Sequence, residues 1–214
     1  MRPDTVLWRS ADGVAHTAPD PALNPLVPGF VDIIDQTLLP GEFKRILLSE
    51  PRTVYDAIRR LAVRGAPAIG CAAALGLAAC AQRFGVPGRE EFLACLCRTA
   101  AYLESSRPTA VNLSWALRRC CAKTSECEGA VPELLAVLLN EALAILAEDI
   151  AMCDAIGRNG LTLLKDGMGV LTHCNAGALA TGGCGTALAP VYAAQKAGLR
   201  LHVYSDETRP LLQG

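Results

Sequence analysis

No stretch of the 214-residue sequence stays apolar and uncharged long enough to cross a bilayer. The longest candidate, APAIGCAAALGLAACA over 66–81, is rich in Ala and Gly and bounded by Arg64 and Arg83, which suits a buried helix of a soluble fold. The opening MRPDTVLWRSADG has no apolar segment behind its basic residue, so no secretory leader is expected and a cytoplasmic location is. Charge of one sign is missing as well. Twenty Lys and Arg balance 21 Asp and Glu for a net charge of −1, and a chain without a long-range field is not expected to bind nucleic acid or a membrane surface. The expected partner is a small molecule.

Ten cysteines are present but no CxxC, and without ligand spacing or a leader neither a zinc site nor a disulfide framework is expected. They read as reduced, small apolar side chains, Cys174 excepted. There is no GxGxxG and no GK[ST], so neither a dinucleotide nor ATP is supported as a cofactor.

What is present is enough apolar sequence, 51% of residues, to bury a core. Pro- and Gly-rich clusters in the first 45 residues surround short runs such as VDIIDQTLLPG, which read as strands joined by turns. From Thr53 the period becomes helical, with Thr53 as the N-cap and Gly65 as the stop of a first helix, then helices near 67–84, 89–105, 109–125 and 131–164. At Gly167 the style changes again. A strand over 169–173, a Gly-rich loop, a helix near 186–197 and a strand near 201–204 form the opening βαβ of a doubly wound sheet. The fold class expected is therefore α/β: a small N-terminal β cap (1–48), a helical domain (49–166) and the first βαβ of a Rossmann-like parallel sheet (167–214). With two strands that sheet is incomplete, and the chain reads as truncated.

Four segments carry chemistry. In RGAPAIG, Arg64 and Gly65 stand just before Pro67, which fits the first turn of a helix, so an anion could meet both the guanidinium and open backbone N–H groups. SRPTAVNLSWAL repeats the device with Arg107 before Pro108; a solvated arginine is the alternative at each place. THCNAG puts Cys174 at the carboxyl end of a strand, where open α/β sheets bind ligands. A thiol there can exchange a proton or act as a nucleophile. His173 is its neighbour in sequence, but adjacent strand residues face opposite ways, so the two are not expected to act together. The glycines 177, 182, 183 and 185 that follow either cradle a phosphate with free N–H groups or simply make a tight turn. YSDETRPLLQG brings Asp206 and Glu207 to the last strand end, as catalytic or as surface acids.

Together and in this order, RGAPAIG, SRPTAVNLSWAL, THCNAGALAT with GTALAP, and VYSDETRPLLQG resemble the signature blocks of the methylthioribose-1-phosphate isomerase family, from about Val31 to the last residue. That family also holds ribose-1,5-bisphosphate isomerase and the regulatory subunits of the eukaryotic translation-initiation guanine-nucleotide exchange factor. The resemblance implies substrate contacts at Arg64, Gly65, Ala66, Arg107 and Gln213, and a catalytic cysteine at Cys174. It implies an aldose–ketose isomerisation of 5-methylthioribose 1-phosphate in methionine salvage, without metal or organic cofactor, and a homodimer. It further implies a catalytic aspartate and an Asn-Lys pair in later motifs that these residues do not contain, so the chain alone is expected to be inactive. The alternatives are a non-catalytic exchange-factor-type subunit and the bisphosphate isomerase.

Overall fold

The computed structural model describes residues 4–212. Strands β1 (Val6–Arg9), β2 (Ala15–His16), β3 (Phe30–Ile34) and β4 (Arg45–Leu48) form one antiparallel sheet in the order β2-β1-β3-β4. Its register sets Val6 opposite Ile33 and Val31 opposite Leu48, so apolar side chains of three strands share the core face. Asp32 lies almost wholly buried on β3, accepting hydrogen bonds from Arg9 at 2.6 Å and Arg45 at 2.8 Å. That arrangement pairs a buried carboxylate with cations from both flanking strands and ties the sheet across its width.

Helix α1 (Pro51–Arg59) starts earlier and stops sooner than the sequence pattern suggests. Pro51 takes the first helical position, and Thr53 lies inside, its hydroxyl donating to the Glu50 carbonyl. The helix ends before Gly65 because Leu61 adopts φ +64, which reverses the chain at once. Helix α2 (Ala66–Ala81) is buried at every residue from Ala68 to Ala81. A helix apolar on all sides belongs at the centre of a fold, and α1, α3 (Arg89–Glu104), α4 (Val111–Ser125), α5 (Val131–Leu161), β1 and β3 all pack on it. Its Ala and Gly residues permit that crowding: a Cβ on Gly70 would stand 3.0 Å from the Asn112 carbonyl of α4.

Helix α5, 31 residues long, then carries the chain to β5 (Gly169–Thr172). A 3-10 turn at Ala178–Ala180, helix α6 (Ala189–Lys196) and β6 (His202–Ser205) follow, with β5 and β6 parallel and Leu171 opposite Tyr204. Helix α6 begins three residues later than expected because Thr186 and Leu188 first donate their N–H groups to the Ala176 carbonyl, which holds that stretch in the loop. Among the described residues the β5–β6 pair leaves Leu171, Val203 and Tyr204 exposed. Among the described residues no helix is long and apolar enough to cross a membrane.

Not all the cysteines read as core residues are buried. Cys71, Cys80, Cys120 and Cys153 are, whereas Cys97 is exposed and Cys95, Cys121, Cys127 and Cys184 are half-buried.

Candidate functional site

Three consecutive residues after β5 are gripped by the N-terminal half of the chain. The Thr5 hydroxyl donates to the Ala178 carbonyl at 2.8 Å, and the Gln36 side-chain amide donates to the Leu179 carbonyl at 2.8 Å. Ala180 lies against Gly65: a Cβ on Gly65 would stand 2.4 Å from the Ala180 carbonyl oxygen, and Gly65 has φ +85, a conformation that disfavours any side chain. The RGAPAIG turn and the Gly-rich loop are thus one packed unit.

Arg64 anchors the same unit. Its guanidinium donates to the carbonyls of Gln36 at 2.7 Å, Leu61 at 3.1 Å and Leu211 at 3.4 Å, so it reaches the segment after β6. Burial pulls this guanidinium down from its ordinary value, and the charge of Asp35 opposes that shift. Asp35 is itself held in place by Arg60 at 2.7 Å and by Thr37. Burial would raise its carboxyl, but those hydrogen bonds outweigh burial and leave it below the usual aspartate value. Ala66 is the exposed first residue of α2, and no side chain caps that helix start.

Arg107 sits in the turn between α3 and α4, half-buried, and its side chain makes no hydrogen bond or ion pair among the described residues. No hydrogen bond links it to Arg64 among the described residues. Gln213 lies outside the described residues. Cys174 is exposed at the end of β5 with φ +65, unusual for a residue with a side chain. Its backbone N–H donates to Asp206 Oδ1 at 3.2 Å, while Asp206 Oδ2 pairs with His173 Nδ1. Asp206 therefore brackets His173 and Cys174 from the end of the neighbouring strand.

Three of the four glycines of the loop direct their N–H groups to protein acceptors. Gly182 donates to Asp149 of α5 at 2.6 Å, and Gly183 and Gly185 donate to the Thr181 hydroxyl at 3.2 and 3.1 Å. Of the two readings open for this loop, the tight turn is the one present at those three positions. Asp149 is held above the usual aspartate value by burial, opposed by the Gly182 N–H. The supporting groups Thr5, Gln36 and Asp149 escape a sequence reading because their partners are distant backbone groups, and Thr181 because its hydroxyl accepts from the backbone N–H groups of Gly183 and Gly185. Thr5 and Ala178 are 173 residues apart, and no local pattern signals such a bond.

The model of the initiation factor 2 subunit family matches residues 62–214. A 5-deoxyribose 1-phosphate isomerase of Moorella thermoacetica is 55% identical over 190 residues, covering 87% of this chain and 53% of the relative. A methylthioribose-1-phosphate isomerase of Roseiflexus is 52% identical over 190 residues, 87% of this chain and 54% of the relative. The chain spans about half the length of the curated relatives it matches. Among solved structures, 5-methylthioribose 1-phosphate isomerase from Pyrococcus horikoshii superposes with a TM-score of 0.82 at 42% identity, over 86% of this chain and 52% of that one. Translation initiation factor eIF-2B subunit delta from A. fulgidus does so with a TM-score of 0.79 at 41% identity, over 86% and 54%. With the match running from the turn after α1 through the Cys174 strand to the last residue, this chain belongs to the initiation factor 2 subunit family.

Proposed function

We propose that this chain carries the phosphate turns and the catalytic cysteine of an isomerase acting on a 5-substituted ribose 1-phosphate, 5-methylthioribose 1-phosphate foremost. The observation that carries the reading is the Arg64–Gly65–Ala66 turn. There a partly buried guanidinium and an uncapped 16-residue helix start stand together, packed on the loop that follows Cys174. A phosphate at that turn would gain a charge-assisted hydrogen bond and the positive end of α2. Arg107, without a partner among the described residues, is the second cation for the same phosphate. Gln213 joins them as a third contact.

In this reading the sugar carbon chain extends toward the end of β5. Cys174 is accessible there, and its backbone is fixed by Asp206. Once an acid has protonated the ring oxygen and opened the ring, the Cys174 thiolate takes the C2 proton. The thiol so formed returns it to C1 of the enol while the C2 hydroxyl gives its proton back to that acid's conjugate base, so protons and charge balance with no redox partner. Ring opening needs a separate acid at the ring oxygen, because the C1 phosphate blocks spontaneous opening. The substrates after which the two relatives are named, 5-deoxyribose 1-phosphate and methylthioribose 1-phosphate, share a C1 phosphate and an apolar 5-position, which supports this class. A homodimer and a division into units 1–48, 49–166 and 167–214 belong to the same reading; a light-scattering mass of one chain would remove the dimer.

The test is calorimetric titration of 5-methylthioribose 1-phosphate into the chain and into Arg107→Ala. Binding that weakens at least tenfold in a variant that melts at the parental temperature supports the reading. Equal affinity in both proteins removes Arg107 from the site. No binding to either favours the non-catalytic reading, which the likeness to the eIF-2B delta structure keeps in play.

A further inference from the structure

Two acids follow one another at the end of β6, and they face different ways. Glu207 turns to Arg209, whose guanidinium donates to both of its oxygens. Asp206 turns to the neighbouring strand and uses both of its own oxygens there: Oδ1 accepts from the Cys174 N–H at 3.2 Å, and Oδ2 pairs with His173 Nδ1. The register explains the reach. Thr172 and Ser205, the last residues of β5 and β6, lie opposite each other, so the chain leaves the two parallel strands side by side.

His173 and Cys174 stand beyond that last pair. The alternation of faces that separates neighbouring strand residues no longer governs them, and, against the expectation from sequence, one carboxylate holds both. Cys174 has φ +65, a conformation that is costly for a residue with a Cβ and persists only where its surroundings fix it. The bond to Asp206 is such a fixing contact. The His173 side chain is 86% exposed and makes no other hydrogen bond or ion pair among the described residues. An ion pair so open to water adds little to stability, so its consequence is orientation. With Nδ1 facing a carboxylate, Nδ1 carries the proton, and a neutral ring is left with the lone pair of Nε2 free.

That ring stands at the carboxyl end of two parallel strands, where open α/β sheets take their ligands. Resting on the reading of Cys174 as the group that meets C2 of the sugar, we propose that Asp206 is a positioning residue for both its neighbours and that His173, so oriented, is a further substrate contact. Its Nε2 accepts a hydrogen bond from a hydroxyl of the sugar 1-phosphate. A sugar laid against Cys174 by its C2 carries hydroxyl donors on C2 and C3, which an acceptor at the adjoining residue matches. Asp206 thus acts through the two residues before it, without touching the substrate.

Two substitutions separate the parts. Asp206→Asn keeps an oxygen for the Cys174 N–H, but its amide N–H now donates to His173 Nδ1 and moves the ring proton to Nε2, turning the acceptor into a donor. Asp206→Ala removes both bonds. Nitrogen–proton correlation spectra of the histidine rings, under mildly alkaline conditions, read the tautomer, with His173→Ala identifying the signal. The expected result is an Nδ1–H ring in the parent and an Nε2–H ring in Asp206→Asn at an unchanged melting temperature. Exchange of the Cys174 amide stays at the parental rate in Asp206→Asn and rises about tenfold in Asp206→Ala. Added 5-methylthioribose 1-phosphate shifts the His173 signal of the parent, and calorimetric affinity falls about fivefold or more in Asp206→Asn and His173→Ala. An Nε2–H ring in the parent, or a Cys174 amide that exchanges alike in all three proteins, overturns the positioning role. Equal affinity throughout with the His173 signal unmoved overturns the contact and leaves the phosphate turns standing. No binding to the parent overturns the contact together with the reading it rests on.

Discussion

Gly65 and Ala180 are in such close contact that no side chain fits on the glycine: a Cβ there would lie 2.4 Å from the Ala180 carbonyl oxygen and 2.5 Å from its Cα. The two residues are 115 positions apart, and their contact joins the arginine turn of the helical region to the loop after the cysteine strand.

Gly65→Ala should therefore be among the most damaging small substitutions. It combines a strained positive φ with displacement of backbone, not of a flexible side chain, and a cost of about 2 kcal/mol or more is expected. Urea denaturation measures the loss. Hydrogen exchange should localise it to the 3-10 turn and the start of α2.

Thr5 and Gln36 make the neighbouring contacts, and replacing either partner leaves a carbonyl of the turn without its donor. Thr5→Val and Gln36→Leu should each cost about 1 to 2 kcal/mol. Gln36→Leu should also loosen Arg64 indirectly, since the Gln36 carbonyl accepts from that guanidinium. Faster amide exchange at 180–185 in both variants, with α3 and α4 unchanged, is the expected pattern.

These contacts mark the boundary of what the sequence made legible. The helices around α2 follow from apolar periodicity, and the all-apolar character of 66–81 foretells its central place. The motif residues Arg64, Arg107 and Cys174 stand out by their positions at element ends. What periodicity cannot show is which distant group satisfies a given carbonyl, so the roles of Thr5, Gln36 and Asp149 emerge only in three dimensions. The glycines 182, 183 and 185 illustrate the same limit. Their pattern fits a phosphate cradle and a tight turn equally, and the partners Asp149 and Thr181 decide between the two.

Asp149 makes stability depend on pH in an unusual direction. Burial raises its carboxyl above 3.8, so the folded state holds a proton more tightly than the unfolded chain. This group's contribution therefore favours folding at low pH and is lost as pH rises from the unfolded value through the raised folded one. Asp149→Asn keeps an acceptor for the Gly182 N–H without the charge. Its stability relative to the parent should improve between pH 4 and pH 7, as compared by urea denaturation at the two values. A relative stability independent of pH would show that Asp149 is not perturbed.

Thiol labelling separates the cysteines by environment. Burial pushes the Cys80 thiol up to about 12, and it raises Cys71 well above its ordinary value. Cys97 and Cys174 are exposed. Brief alkylation at pH 8 followed by peptide mass mapping should label Cys97 and Cys174 first, with Cys71, Cys80, Cys120 and Cys153 labelled only after denaturation.

The central claim is that Cys174 moves a proton of a 5-substituted ribose 1-phosphate. The most direct measurement is isomerase turnover of 5-methylthioribose 1-phosphate by this chain joined to the remaining length of the Moorella relative, with and without Cys174→Ala. Turnover that falls by two or more orders of magnitude in the variant, with substrate binding retained, is the predicted result. Undiminished turnover without the thiol would contradict the account.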